Sequence, residues 1–175
     1  MLGILGRKGV GKDLISDYLT TRYGYNKVAF ASTLKDATKV LFGFNNDQLY
    51  GDQKEVIDPR WGISPRQAFQ WLGTDIFRIK VQELIPKIED KFWIESALSN
   101  TTEKIVISDV RFANEVRTIR ERGGKVIKVV REGIPRDDHV SEKGIDLITE
   151  YDFIINNQGT IEDLYQKIDQ IIEQI

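Results

Sequence analysis

Residues 6–12 read Gly-Arg-Lys-Gly-Val-Gly-Lys, directly after the apolar run Met1 to Leu5 and ahead of a helical pattern. No other stretch limits the possible folds so sharply. The spacing is that of a phosphate-binding loop set between a buried strand and a helix. Glycine supplies φ values that other residues avoid, so successive backbone N–H groups can converge on one anion. The helix that follows adds the positive end of its dipole at the same point. Lys12 then reaches the outer phosphates as a point charge. Gly9, Val10, Gly11, Lys12 and Asp13 therefore form a candidate nucleotide-phosphate site. Position 13 is aspartate, where such loops commonly carry a Ser or Thr whose hydroxyl meets Mg²⁺.

The remaining chain alternates strand-like and helix-like segments. Lys12 to Tyr23 places Leu14, Ile15, Tyr18 and Leu19 on one helical face, and Asn26 to Ala31 reads as a second strand. A helix from Ser32 to Phe42 follows, with Ser32 or Thr33 as its cap. Ser64-Pro65 opens a helix that is predicted to stop near Gly73, with Thr74 capping the next and another starting near Asp90. Lys104 to Ser108, Val126 to Val130 and Phe153 to Ile155 read as strands, the first a continuous apolar run ending in Asp109. Phe112 to Arg122 is a charged helix closed by Gly123-Gly124. The terminal helix carries Ile161, Leu164, Ile168, Ile171 and Ile172 as one apolar stripe, which fits core packing or part of a homodimer interface. The pattern predicts an α/β fold, a doubly wound and mostly parallel five-stranded sheet with its ligand at the carboxyl ends of the strands. Two polar excursions, about 43–100 and 132–150, read as insertions in a single domain spanning 1–175: a helical substrate-binding lobe and a lid.

Composition matters for what it removes. A net charge of −2 gives no global basic field for a nucleic-acid polymer. Without cysteine there is no disulfide, thiolate nucleophile or thiolate metal site, and a single histidine, His139, rules out a multi-histidine zinc centre. No apolar run approaches the roughly 18 residues of a membrane span. The first strand begins at Met1, which leaves no space for a secretory signal ahead of it, so a cytoplasmic location is expected.

Further side chains fit phosphoryl chemistry. Asp109, just past a buried strand, is placed to hold Mg²⁺ beside the loop, or else to cap the helix that follows. Lys35, Lys54, Arg66, Arg111, Arg131 and Arg136 could separate two anionic phosphates, or could be solvated surface charges. Arg111 and Arg131 stand out because each follows a strand end. Among Phe69, Trp71, Phe92 and Trp93, Trp93 is the candidate base contact and the others suit a core. His139 suits a lid surface better than acid–base work.

Together these pieces resemble the phage-type deoxynucleoside monophosphate kinases, a P-loop kinase group. The likeness runs through Gly11-Lys12-Asp13, Leu34-Lys35-Asp36-Ala37, Gly51-Asp52 with Lys54-Glu55, and Arg66 ahead of Leu72-Gly73-Thr74-Asp75. It continues through Phe92-Trp93, Ser108-Asp109-Val110-Arg111 with Asn114-Glu115, Val129-Val130-Arg131, and Asp152 to Thr160. Such a resemblance implies an ATP- and Mg²⁺-dependent enzyme acting on small-molecule nucleotides in the cytoplasm, the host's if the protein is viral. It implies that Gly9 to Asp13 bind the donor phosphates and that Lys35, Lys54, Arg66, Gly73, Thr74 and Trp93 form the acceptor pocket. Arg111 and Glu115 would then lie between donor and acceptor, Arg131 would close from the lid, and the Asn157-Gln158-Gly159-Thr160 turn would lie against adenine. Lys12, Arg111 and Arg131 would carry catalysis, with Asp109 and Asp13 holding the metal. Two positions depart from the family pattern: Leu14 replaces a Thr, and Lys54 stands where an arginine is usual. Two other readings of the residues remain: a P-loop kinase for another small acceptor, such as dephospho-coenzyme A or phosphomevalonate, and a nucleotide-binding module that transfers nothing.

Overall fold

The computed structural model describes residues 1–99, 104–134 and 144–175. Five strands form one sheet in the order β2-β3-β1-β4-β5: β1 is Leu2–Leu5, β2 Asn26–Val28, β3 Ile105–Val110, β4 Lys125–Val130 and β5 Phe153–Asn156. All four pairings are parallel. Leu2, Ile4 and Leu5 of β1, the central strand, are buried, as a strand covered on both faces requires. Leu5 stands opposite Val110 of β3 and Lys128 of β4, so the loop leaving β1 emerges between two strand ends. That is the switch-point position expected of a ligand site in such a sheet.

The chain divides into two compact units, one of Met1–Ala29 with the described residues of Asn100–Ile175, the other Phe30–Ser99. The first holds the sheet with α1 (Lys12–Tyr23), α7 (Ala113–Glu121) and α8 (Ile161–Ile172). Its core joins Ile15 and Leu19 of α1 to Ile127 and Val129 of β4 and to Leu164, Ile168 and Ile171 of α8. Ile161, expected in the α8 stripe, sits in the first turn and is exposed, because that turn is held by a capping box between Thr160 and Asp163 rather than by burial. Tyr18 and Tyr23 both donate to Asp169 Oδ1, at 2.8 and 2.7 Å, fastening α8 to α1.

The second unit contains α2 (Phe30–Phe42), α3 (Asn46–Leu49), α4 (Pro65–Gln70), α5 (Val81–Leu84) and α6 (Phe92–Leu98). It starts at Phe30 rather than near residue 43 because α2 packs against α4 and α6. The helix begins at Phe30, so Ser32 and Thr33 lie inside its first turn and the second strand ends at Val28. Ser64 and Gln67 form the expected cap around Pro65. The stop predicted at Gly73 is absent: α4 runs through a π-helical stretch, Trp71–Lys80, into α5. Gly73 serves a packing need, since a Cβ there would lie 2.8 Å from Leu34 Cδ2 of α2. Trp93 of α6 donates its indole N–H to the Gly73 carbonyl at 2.8 Å. That bond supplies a partner to a backbone group within the widened ladder.

Candidate functional site

Residues 6–11 cross from β1 to α1 with Gly9 at φ 83° and Gly11 at φ 104°. Side chains rarely tolerate that region, which is why glycine occupies both positions. Val10 between them is buried and anchors the loop in the core. Gly11 precedes the first helical residue, Lys12, so the amides opening α1 have no intrahelical carbonyl before them. Lys12 is only 8% exposed, and its ammonium donates to the Arg7 carbonyl at 2.6 Å, folding the lysine across the mouth of its own loop. The arrangement can receive a phosphate chain through amides, dipole and cation together.

Three sets of contacts that residue types alone did not reveal lie on this loop or beside it. Asn157, 7% exposed, donates its backbone N–H to Val130 O at 2.8 Å and its side-chain Nδ2 to Val10 O at 2.9 Å. Arg7 Nε donates to Asp146 Oδ1 at 3.1 Å, and the terminal guanidinium nitrogen pairs with Asp146 Oδ2. Lys128 of β4, buried, donates to the carbonyls of Ile148 at 2.7 Å and Asp146 at 3.4 Å. Burial pushes the Lys128 ammonium below its ordinary pKa, with Asp146 opposing the shift. A cavity of about 270 Å³ opens among Arg7, Val10, Lys128, Arg131, Ile134 and Asp146. Arg131, one residue past β4, is exposed at its rim. Sequence pattern offered no clue to Asp146 or Lys128, because neither lies in a recognisable motif.

The far end of β3 carries Asp109, half-buried, then Arg111. Asp109 is not the cap of α7: Phe112 occupies that position. Glu115 performs the capping from inside the helix, its Oε2 accepting from the N–H groups of Arg111 at 2.8 Å and Phe112 at 3.1 Å. Glu115 is only 3% exposed. Asp13 points outward, its side chain 85% exposed, with Oδ1 2.9 Å from the Lys27 ammonium, which Asp17 also holds at 2.9 Å. Burial lowers the Lys27 pKa, but the hydrogen bonds to Asp13 and Asp17 outweigh it and leave the group above its ordinary value.

These positions allow a test of fit for Mg²⁺. That ion binds through one or two carboxylates, with waters and substrate phosphates completing its octahedron. Among the described residues no group of three or more His, Cys, Asp or Glu side chains could hold a metal ion, and Mg²⁺ at a phosphate site needs none. Asp109 fits by its place at the strand end beside β1. Asp13 fits less well, since one carboxylate oxygen is committed to Lys27. Ser16, the nearest downstream hydroxyl on α1, donates to Lys12 O at 2.9 Å within the helix.

The turn expected against adenine divides its work. Asn157 faces the phosphate loop, whereas Thr160 caps α8, accepting from Asp163 N at 3.2 Å while Asp163 Oδ2 accepts from Thr160 N at 2.9 Å. Gly159 lies between them.

The second unit carries the expected acceptor residues. Lys35 Nζ sits 4.2 Å from the centre of the Tyr50 ring, a cation–π contact that fixes its direction. Lys54 is half-buried in a 3-10 turn, Asp52–Glu55, and Arg66 Nε donates to Glu55 Oε1 at 3.0 Å. Gly73 and Thr74 lie in the π-helical stretch, Thr74 exposed. Trp93 is 7% exposed, packed edge-on against Phe77 and Phe92. Buried Asp58 anchors the neighbouring loop, accepting from Arg60 through a forked guanidinium and from Gln48 Nε2 at 2.8 Å. Those bonds from Arg60, then Gln48, hold its carboxyl far below the usual carboxylate range. Arg136, His139 and the middle of the expected lid lie outside the described residues.

Comparison with known proteins brings these halves under one heading. Residues 47–168 match a family model described as deoxynucleotide monophosphate kinase. A protein of Acanthamoeba polyphaga mimivirus, named putative deoxynucleotide monophosphate kinase, is 39% identical over 180 residues, covering 96% of this chain and 93% of its own. The deoxynucleotide monophosphate kinase of Escherichia phage RB69 is 33% identical over 124 residues, 66% of this chain but 47% of the phage protein, so the match spans about half of that relative. A solved shikimate kinase from Bacteroides thetaiotaomicron superposes with a TM-score of 0.56 over 98% of this chain and 97% of its own. At 14% identity that likeness concerns the fold.

Proposed function

The chain belongs to the deoxynucleotide monophosphate kinase family, and on that premise we propose that it transfers the γ-phosphoryl group of ATP to a deoxynucleoside 5′-monophosphate. The observation that carries this reading is the reach of the family match. It begins at residue 47, beyond the phosphate loop, and takes in Lys54, Arg66, Trp93, Arg111 and Arg131. A phosphate loop alone is common to many nucleotide-binding proteins, whereas likeness across the lobe that would select the acceptor bears on the substrate.

In this mechanism the amides of Gly9 to Asp13 cradle the donor phosphates, and Lys12 exchanges its bond to Arg7 O for the outer phosphates. Lys12 thereby stabilises charge on the transferring group, with Arg111 and Arg131 answering from the β3 and β4 ends. Asp109 would hold Mg²⁺, which when bound neutralises phosphate charge and orients the phosphate chain. In the second unit, Arg66 and Lys54 would bind the acceptor phosphate and Lys35 would assist, with Gly73, Thr74 and Trp93 shaping the wall. Glu115 would act on Arg111 through the backbone. Gly159 and Thr160 would border the adenine. The acceptor oxygen is already anionic, so no strong general base is required.

The test is ADP release measured across the deoxy- and ribonucleoside monophosphates, with dephospho-coenzyme A and phosphomevalonate in parallel. Stimulation by one or more deoxynucleoside monophosphates supports the reading. ATP binding without stimulation by any of them overturns it, and stimulation by another acceptor alone reassigns the substrate.

A further inference from the structure

A loop that binds phosphate through its amides must turn its carbonyls elsewhere, and each carbonyl turned from the ligand then needs a partner of its own. At Val10, the buried residue between the two positive-φ glycines, that partner is Asn157, 147 positions away in sequence. The Asn157 amide is held by its backbone: β5 has just ended at Asn156, and the Asn157 N–H continues the ladder onto Val130 O at 2.8 Å. The side chain is buried and packed so closely on the loop that a Cβ added at Gly11 would lie 2.7 Å from Nδ2. Nothing about this geometry faces outward toward a base.

We propose that Asn157 is a positioning residue of the phosphate loop. Through Val10 O it fixes the peptide plane between Val10 and Gly11, and so the direction in which the Gly11 N–H meets the donor phosphates. Its contribution to ATP binding is therefore made through the triphosphate rather than through adenine. This rests on the phosphate-loop reading above but not on the identity of the acceptor.

A ligand without a base separates the two roles. Wild type and Asn157→Ala are titrated by calorimetry with Mg²⁺-ATP and, separately, with Mg²⁺ and inorganic tripolyphosphate. Loss of one backbone-orienting hydrogen bond predicts that both dissociation constants rise by the same factor, roughly three- to tenfold. The KM for the monophosphate stays unchanged, and the melting temperature falls by no more than the few degrees one lost hydrogen bond accounts for; a merely structural role would lower it without weakening either ligand. Weakening of ATP with tripolyphosphate unaffected assigns Asn157 to the base and overturns the proposal, as does no weakening of either. If Asn157→Ala does not fold, the side-chain amide resonance of Asn157 in ¹⁵N-labelled wild type decides: it must shift on adding tripolyphosphate, and an unmoved resonance refutes the coupling. Wild type that binds neither ligand defeats the phosphate loop itself. Wild type that binds both but phosphorylates no deoxynucleotide defeats only the acceptor assignment.

Discussion

Replacing Gly11 by alanine should destabilise the folded chain by about 1.5–3.5 kcal/mol, from two separable causes. Gly11 holds φ 104°, and forcing an L-residue into left-handed backbone costs roughly 1–2 kcal/mol. The new methyl would also stand 2.7 Å from Asn157 Nδ2, pushing the amide off Val10 O. Breaking that bond removes about 0.5–1.5 kcal/mol. Equilibrium urea unfolding without nucleotide measures the sum, provided the slope of the transition is unchanged. Repeating Gly11→Ala in an Asn157→Ala background isolates the second cause, since there only the backbone cost remains. The double-mutant cycle should return a coupling of about 1 kcal/mol. Equal costs in both backgrounds would show that the amide does not feel position 11, and a total below about 0.5 kcal/mol would refute the strained-glycine argument altogether.

Lys12→Ala should lower kcat by a factor on the order of 10² or more, as removal of a transition-state donor does; turnover near wild type would take Lys12 out of the mechanism. Arg66→Ala should raise the KM for the monophosphate about tenfold or more and leave that for ATP alone, because a charged hydrogen bond is lost on one substrate only. The reverse pattern would move the acceptor pocket elsewhere. Asp58 is depressed when folded, so its stabilisation is fully present above the unfolded aspartate pKa of about 3.9 and drains away as pH falls below it toward the lower folded value. Acid unfolding should consequently be shallower in Asp58→Asn than in wild type, and identical acid limbs would dismiss the Arg60–Asp58–Gln48 network as a source of pH dependence.

The sheet and the phosphate loop were legible in the sequence because their determinants are local. An apolar strand, glycines at two forced backbone positions and a helix-opening lysine lie within a dozen residues of one another. Gly73 misled for the opposite reason. Within its own segment a glycine followed by threonine reads as a helix end, and only the proximity of Leu34 explains why a glycine stands inside a helix that runs on. The same holds for β2, where Phe30 continues a strand-like alternation yet opens α2. At the site, residue types suggested charges but not their partners. Arg7 with Asp146, Lys128 with the Ile148 carbonyl and Asn157 with Val10 all join positions far apart in the chain. Asp13 illustrates the limit from the other side: its motif position suggested a metal, while Lys27, on the strand after α1, competes for the carboxylate.

The inward reach of Glu115 has a thermodynamic consequence for the arginine beside it. Because one buried carboxylate already immobilises the amides of Arg111 and Phe112, the main chain under that guanidinium is ordered at the time of folding. On the proposed mechanism, an anion binding there would meet a cation whose root is preset, so association would not have to freeze a wandering turn, and more of the Coulombic attraction would survive as affinity.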